Sequence, residues 1–370
     1  MSWPTSADYN DAVQHPDRCF ADADLIRCVP RKGRLGLPSP SSGNFAAVYE
    51  LRCPTSRRAW GVKCFTRDVD GLKERYRAIS AALRASPLPV FAEFEYVERG
   101  MKVRGEWYPI LKMAWVEGVP LDAFVAQSLE SPATLAALAD VWAKFSARLS
   151  ASGVAHGDLQ HGNVLLVQNW VTSKFALRLV DYDGMHVPGL TGGASESGHP
   201  NYQHPERLRS GTHNRDVDRF SQLVVYVALQ SLRRGGRALW DRYENGENLL
   251  FTRRDFEEPH ASKLFAELWR ANGPERGLVG RLVLACVGRV EDVPPLGPLL
   301  ANGPLPTLAS DEERRVVEAL SRRVTPPPRP VVEWWKTGSE RFFARAEAGP
   351  PPVRPSTPPP PVVKWWKNAD

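Results

Sequence analysis

The apolar pattern changes period near residue 130, and that change limits the folds open to the chain. Before it, residues 45–115 read as strand-rich: AAVYEL (46–51) and AWGVKCF (59–65) are short runs of β-branched and aromatic residues separated by RCPTSRR. A helix is predicted next, over GLKERYRAISAAL, where Leu72, Tyr76, Ile79 and Leu83 fall at i, i+4, i+7 and i+11. VFAEFEYV and WYPILKMAWV follow as strands, joined by the turn-like ERGMKVRGE. After it, SPATLAALADVWAKFSARLSASG opens on Ser131-Pro132, a cap with proline in the first turn, and stops at Gly153. VDRFSQLVVYVALQSL is apolar nearly all round, the pattern of a buried helix. Strands before and helices after predict an α+β arrangement of two lobes.

The 370 residues suffice for well-buried cores, and the net charge of +6 is mild at this length. It suits an anionic ligand and argues against a dedicated nucleic-acid binder. RKGR (31–34) reads as a solvated turn. Cys19, Cys28, Cys53, Cys64 and Cys286 include no C-x-x-C pair, so we expect reduced thiols in a cytoplasmic protein. The N-terminus lacks the basic and apolar regions of a signal peptide, and residues 223–229, the longest apolar run, are too few to span a bilayer.

From Pro304 the composition shifts to proline, with PPPRP at 326–330 and PPVRPSTPPPP at 351–361. A helix is predicted at 311–323, capped by Ser310, with Asp311, Glu312 and Glu313 first and Arg322-Arg323 last. PRPVVEWWK (328–336) and PPPVVKWWK (359–367) match at seven of nine positions. The repeated tryptophan pairs read either as a bivalent docking tail or as a tail folding back on its own domain. Residues 1–34 carry no legible chemistry and are expected to pack as an extension on the smaller lobe.

Three segments carry chemistry. In HGDLQHGNVLL (156–166), Asp158 precedes Asn163 by five residues and an apolar strand follows. Asp158 can accept a hydroxyl proton while Asn163 holds a metal ion. In LRLVDYDGM (177–185), Asp181 ends an apolar strand, placed to bind Mg²⁺ that bridges ATP phosphates. In GVKCF (61–65), Lys63 can reach phosphates, and Glu74 on the following helix can pair with it. His199, His204 and His213 cluster in sequence, but no neighbouring ligand spacing supports a metal.

In this order the segments resemble the protein kinase superfamily over roughly residues 35–300, in particular the bacterial eukaryotic-like Ser/Thr kinases of atypical, non-RD type. The resemblance implies a two-lobed fold with a small β-rich N-lobe, a helical C-lobe and a Pro-rich C-terminal tail. Its boundaries are 1–34 for the extension, 35–303 for the kinase-like domain and 304–370 for the tail. SGNFAAVYEL resembles the glycine-rich loop, with Gly43 as middle glycine, Phe45 at the tip and Val48 over the adenine. KMAWVEG resembles the hinge, with Met113 as gatekeeper and Ala114 to Val116 offering backbone hydrogen bonds. GHPNYQHPE (198–206) resembles the end of an activation loop, and Asp218 the buried aspartate that ties the catalytic loop down. The implied cofactors are ATP and Mg²⁺, with Lys63, Asp158, Asn163 and Asp181 catalytic, and Asn163 and Asp181 on the metal. The implied partner is a protein substrate, without nucleic acid or membrane.

This chain also departs from the family. Gly157 stands where the catalytic-loop arginine is expected, so phosphorylation at Thr191, Ser195 or Ser197 is not expected to switch it on. Gln160 replaces a lysine aimed at the γ-phosphate, a contact worth about 3 kcal/mol, with His161 as a candidate substitute. Ser41 and Ala46 replace two loop glycines, and Asp183 takes the glycine place of the metal-binding segment. Glu206 is expected to pair with Arg289. Two further readings stand beside the active kinase. One is a pseudokinase scaffold acting through its tail, and the other a small-molecule kinase, disfavoured by GHPNYQHPE.

Overall fold

The computed structural model describes residues 2–42, 46–56, 58–69, 71–85, 88–169, 174–190 and 197–321. Gly43, Phe45, Thr191, Ser195, Arg322, Arg323 and both tryptophan-pair motifs lie outside the described residues. The rest is an α+β structure, with a sheet region first and a helical region after it.

Helices α1 (Ser6–Val13) and α2 (Pro16–Cys19) precede strands β1 (Val29–Pro30), β2 (Ser41–Ser42), β3 (Ala46–Arg52) and β4 (Ala59–Phe65). Helix α3 (Leu72–Ala85) leads to β5 (Phe94–Val103) and β6 (Glu106–Ala114). These strands form one antiparallel sheet ordered β1-β3-β4-β6-β5, with β2 also on β3. Strand β5 runs further than the sequence suggests. ERGMKVRGE is mostly strand, because Gly100 lets β5 bulge against Ile110 and Arg104-Gly105, both at positive φ, close a two-residue hairpin.

Strands β3 and β4 are enclosed on both faces of the sheet, and their period of two sorts the residues. On β4, Trp60, Val62 and Cys64 point to a core shared with Tyr9, Val13, Phe20 and Leu25 of the N-terminal segment. Gly61 and Lys63 face the opposite way, into a cavity. The N-terminal segment is fastened by polar ties: Tyr9 donates its hydroxyl to Phe65 O at 2.7 Å, and Lys112 bonds both Asp22 oxygens at 2.8 Å. All five cysteines are free and buried.

Past β7 (Val119–Pro120), helices α4 (Leu121–Ser128) and α5 (Pro132–Ser152) precede a second sheet with β8 (Val164–Asn169) and β9 (Lys174–Leu179), ordered β7-β8-β9. Helix α5 has the predicted ends: Ser131 Oγ accepts from Thr134 N, and Gly153 closes it in the left-handed region. Then come α6 (Pro205–Ser210), α7 (Arg219–Tyr243), α8 (Arg253–Glu257), α9 (Lys263–Arg270), α10 (Arg276–Val287), α11 (Leu296–Leu299) and α12 (Ser310–Ser321). Helix α7 is the buried helix expected, with residues 220–232 enclosed throughout. Val316 of α12 is fully buried in the main core. No helix among the described residues is long and apolar enough to cross a membrane.

Candidate functional site

Between the two sheets lies a cavity of about 210 Å³. Val48, Gly61, Met113, Ala114 and Val116 line one side, Leu165 and Val180 the other, and Lys63 and Asp181 the inner end. An apolar slot with a few charged groups at one end is the usual make-up of a small-molecule site. Among the described residues the Val116 N–H makes no hydrogen bond, which leaves a donor for a planar ligand. Of the residues expected around a nucleotide, Val48, Lys63, Met113, Ala114, Val116 and Asp181 do meet here.

Glu74 does not join them. It is exposed on α3 and makes no ion pair with Lys63. The lysine ammonium instead contacts Asp181 Oδ1 at 3.0 Å and Asp183 Oδ2 at 2.5 Å. Burial alone would lower the Lys63 pKa, but Asp181 and Asp183 outweigh it and hold the value well above the usual lysine range. Burial also acts against both carboxylates. Asp181 ends above its usual range, with Asp183 and Asp158 adding repulsion. Asp183 ends below it, because Lys63 and the Tyr76 hydroxyl favour its charged form. Asp181 holds a left-handed backbone, φ 64°, a strained state for a non-glycine residue of the kind that concentrates at functional sites.

The loop after α5 is built from backbone contacts. Asp218, at the start of α7, accepts from His156 N at 2.5 Å and Gly157 N at 2.8 Å, the tie that the sequence reading assigned to it. Asn163 Nδ2 donates to Asp158 Oδ2 at 2.9 Å, and His199 N donates to Asp158 Oδ1 at 2.7 Å. Both oxygens of Asp158 are thereby oriented. Three glycines make this closeness possible. A Cβ on Gly157 would lie 2.7 Å from the Gly184 carbonyl carbon, and one on Gly198 would lie 2.9 Å from Asp158 Oδ1. Gly184 itself packs against His156 O and the Gly157 backbone. Gly157 is therefore a steric requirement of this packing.

His161, the expected substitute for the cation absent at 160, is not free for that role. His161 is buried, and its Nδ1 hydrogen-bonds the Tyr202 hydroxyl at 2.7 Å, so it is committed to that segment. Gln160 turns back to accept from Gly162 N at 2.9 Å. Arg289 pairs with Glu291, while Glu206 accepts from Val290 N at 2.7 Å. The three histidines go to separate places: His199 to Glu247, His204 to Ala285 O, and His213 against the His186 ring.

Arg207, Arg75 and Tyr76 are site residues that the sequence reading missed. Arg207 is almost fully buried and donates to Gly157 O at 2.9 Å and Thr212 O at 3.2 Å. Its position in PERLRS gave no pattern to read. Arg75 donates to Asp183 O and Met185 O at 3.1 and 2.6 Å, and the Tyr76 hydroxyl donates to Asp183. Tyr76 was legible only as an apolar helix position.

His213 lies beside this cluster, and its pKa is pushed down to about 4, first by burial and then by Arg75, His186 and Arg207. The folded protein thus keeps it neutral where the unfolded chain binds a proton. Stability from this group is complete above the ordinary histidine value of about 6.5 and falls as pH drops towards 4. Urea unfolding of His213→Gln should show an acid limb shallower than wild type across that window, by about 1 kcal/mol because solvent screens a half-buried ring. Identical acid limbs would show that His213 does not set it.

No protein-family model matches the chain, and no curated protein matches it.

Proposed function

We propose that this chain is a two-lobed, protein kinase-like phosphotransferase that moves the γ-phosphoryl group of ATP to a protein serine or threonine hydroxyl. The observation that carries the reading is convergence. Lys63, the Asp158–Asn163 loop and Asp181 come from three separate segments, yet Lys63 and Asp181 close the inner end of an apolar slot and Asn163 links to Asp158 beside it. A scaffold has no chemical need for all four.

In the proposed reaction the acceptor oxygen attacks the γ-phosphorus and the bond from that phosphorus to the bridging oxygen breaks. ADP leaves with the electron pair, and Asp158 takes the hydroxyl proton. The slot residues Met113, Ala114 and Val116 hold the adenine, and Lys63 positions the phosphates. Asp181 and Asn163 offer hard oxygen donors. Among the described residues no cluster of three or more His, Cys, Asp or Glu could cage an ion. One carboxylate plus an amide oxygen suits Mg²⁺, which takes its other ligands from phosphates and water. When bound, it neutralises charge on the β- and γ-phosphates.

The 198–206 segment, which reaches Asp158 through His199 N, supports a peptide acceptor over a small molecule. The boundaries 1–34, 35–303 and 304–370, and partner docking through the two tail motifs, belong to the same proposal. So does a cytoplasmic location, which five free, buried thiols suit. A nucleotide-binding scaffold without transfer is the second reading. It is favoured by the lack of a cation from Gln160 or His161.

The test is γ-phosphate transfer from Mg-ATP to dephosphorylated casein. Asp158→Ala and Asp181→Ala are each expected to lower the rate by about 100-fold or more. Equal rates in wild type and both variants would sink the enzyme reading. An ATP-dependent thermal shift without transfer would then favour the scaffold.

A further inference from the structure

We propose that Asp183 is the positioning residue for Lys63, and that helix α3 acts on the site through Tyr76 and Arg75 instead of an acidic side chain. This rests on the phosphotransferase reading of the site.

The geometry leaves α3 no carboxylate for the task. Glu74 is exposed, and Tyr76, two positions on, lies about 200° around the helix and faces inward. Asp183 receives a donor on each oxygen: Lys63 Nζ at 2.5 Å on Oδ2, and the Tyr76 hydroxyl on Oδ1. Its main-chain oxygen accepts from Arg75 Nε at 3.1 Å. Gly184, one place later, supplies the close backbone approach to His156 and Gly157. The charge that holds the lysine therefore sits in the same segment as Asp181, two residues away. Charge-assisted hydrogen bonds of this kind are the strong ones.

Two consequences follow. With Asp183 holding the ammonium, Asp181 need not neutralise Lys63 alone and is available to ligand oxygen chemistry. An outward shift of α3 would withdraw the Tyr76 and Arg75 donors, but the Lys63–Asp183 pair does not cross to α3. The helix then tunes the orientation of Asp183 without carrying the ion pair.

The experiment uses the full chain and reads ATP affinity by calorimetric titration with Mg²⁺ present, alongside KM and kcat. Asp183→Asn should weaken ATP binding and raise KM by about tenfold or more, with a smaller change in kcat. Glu74→Gln should leave both unchanged. Asp183→Gly should behave like Asp183→Asn, and adding Tyr76→Glu to it should recover part of the lost affinity by returning a carboxylate to Lys63. Melting temperatures of all variants separate misfolding from mispositioning, and the double variant decides the matter if Asp183→Asn folds poorly. The proposal is overturned if Asp183→Asn binds ATP as wild type does, or if Glu74→Gln weakens binding as much. Lys63→Met separates the two levels. If wild type transfers phosphate and Lys63→Met abolishes ATP binding and transfer while Asp183→Asn is neutral, Asp183 is not the positioning residue and the phosphotransferase reading stands. If wild type itself neither binds ATP nor transfers phosphate, the reading fails and this inference with it.

Discussion

Gly157→Ala will destabilise the protein by on the order of 3 kcal/mol and displace the loop that carries Asp158. Two costs combine. The residue holds φ 77°, where an L side chain costs about 1 kcal/mol. Its new Cβ would also enter the Gly184 carbonyl, and backbone on both sides would have to part. The parting would disturb the Asp218 ties to His156 and Gly157. Gly157→Arg, which introduces the residue that the kinase resemblance leads one to expect there, should do no better, because the clash is at Cβ. Gly189→Ala is the control: it has φ 82° but nothing within 4 Å of its Cβ, so only the conformational cost of about 1 kcal/mol applies. Urea unfolding of the variants checks the difference. Equal losses at 157 and 189 would mean that the close approach is not what fixes glycine at 157.

The second large effect is expected at Asp218. The carboxylate is buried and accepts two backbone N–H groups, one on each oxygen. Asp218→Asn keeps the shape but turns an NH₂ group towards one of those donors. A buried, unsatisfied N–H facing a second donor should cost about 3 kcal/mol. The slot proposed to take ATP is built from other elements, chiefly β3, β4, β6 and β8, so the ATP-dependent thermal stabilisation expected of it should persist. Transfer should fall by about 100-fold, because Asp158 loses its placement. Loss of ATP binding together with transfer would show instead that Asp218 supports the whole fold.

Much of the site was legible before any coordinates. The sequence order of Lys63, Asp158, Asn163 and Asp181 named residues that the fold brings together. Asp218 was legible only through the resemblance, because an aspartate before a helix reads by itself as an ordinary cap. The α5 ends were legible because capping is local: Ser131, Pro132 and Gly153 act on their own neighbours. Strand β5 was misjudged at its far end, since Gly100 and Arg104-Gly105 read as loop residues until the pairing of Val103 with Glu106 is known.

The partner of Lys63 was not legible. Helical periodicity marks Tyr76 as apolar and Glu74 as polar, and a salt-bridge expectation then selects Glu74. Which face of α3 meets Lys63 depends on how the helix docks on the sheet, and the docking puts Tyr76 inward. Gly157 shows the same division. The sequence determines that residue 157 carries no side chain. Only the tertiary structure decides why, by bringing the Gly184 carbonyl into the space a side chain would need. Local chemistry, such as caps, strand alternation and motif spacing, is written along the chain because its partners are neighbours in sequence. The contacts of Lys63 with Asp183 and of Gly157 with Gly184 join segments far apart in sequence, so packing alone decides them.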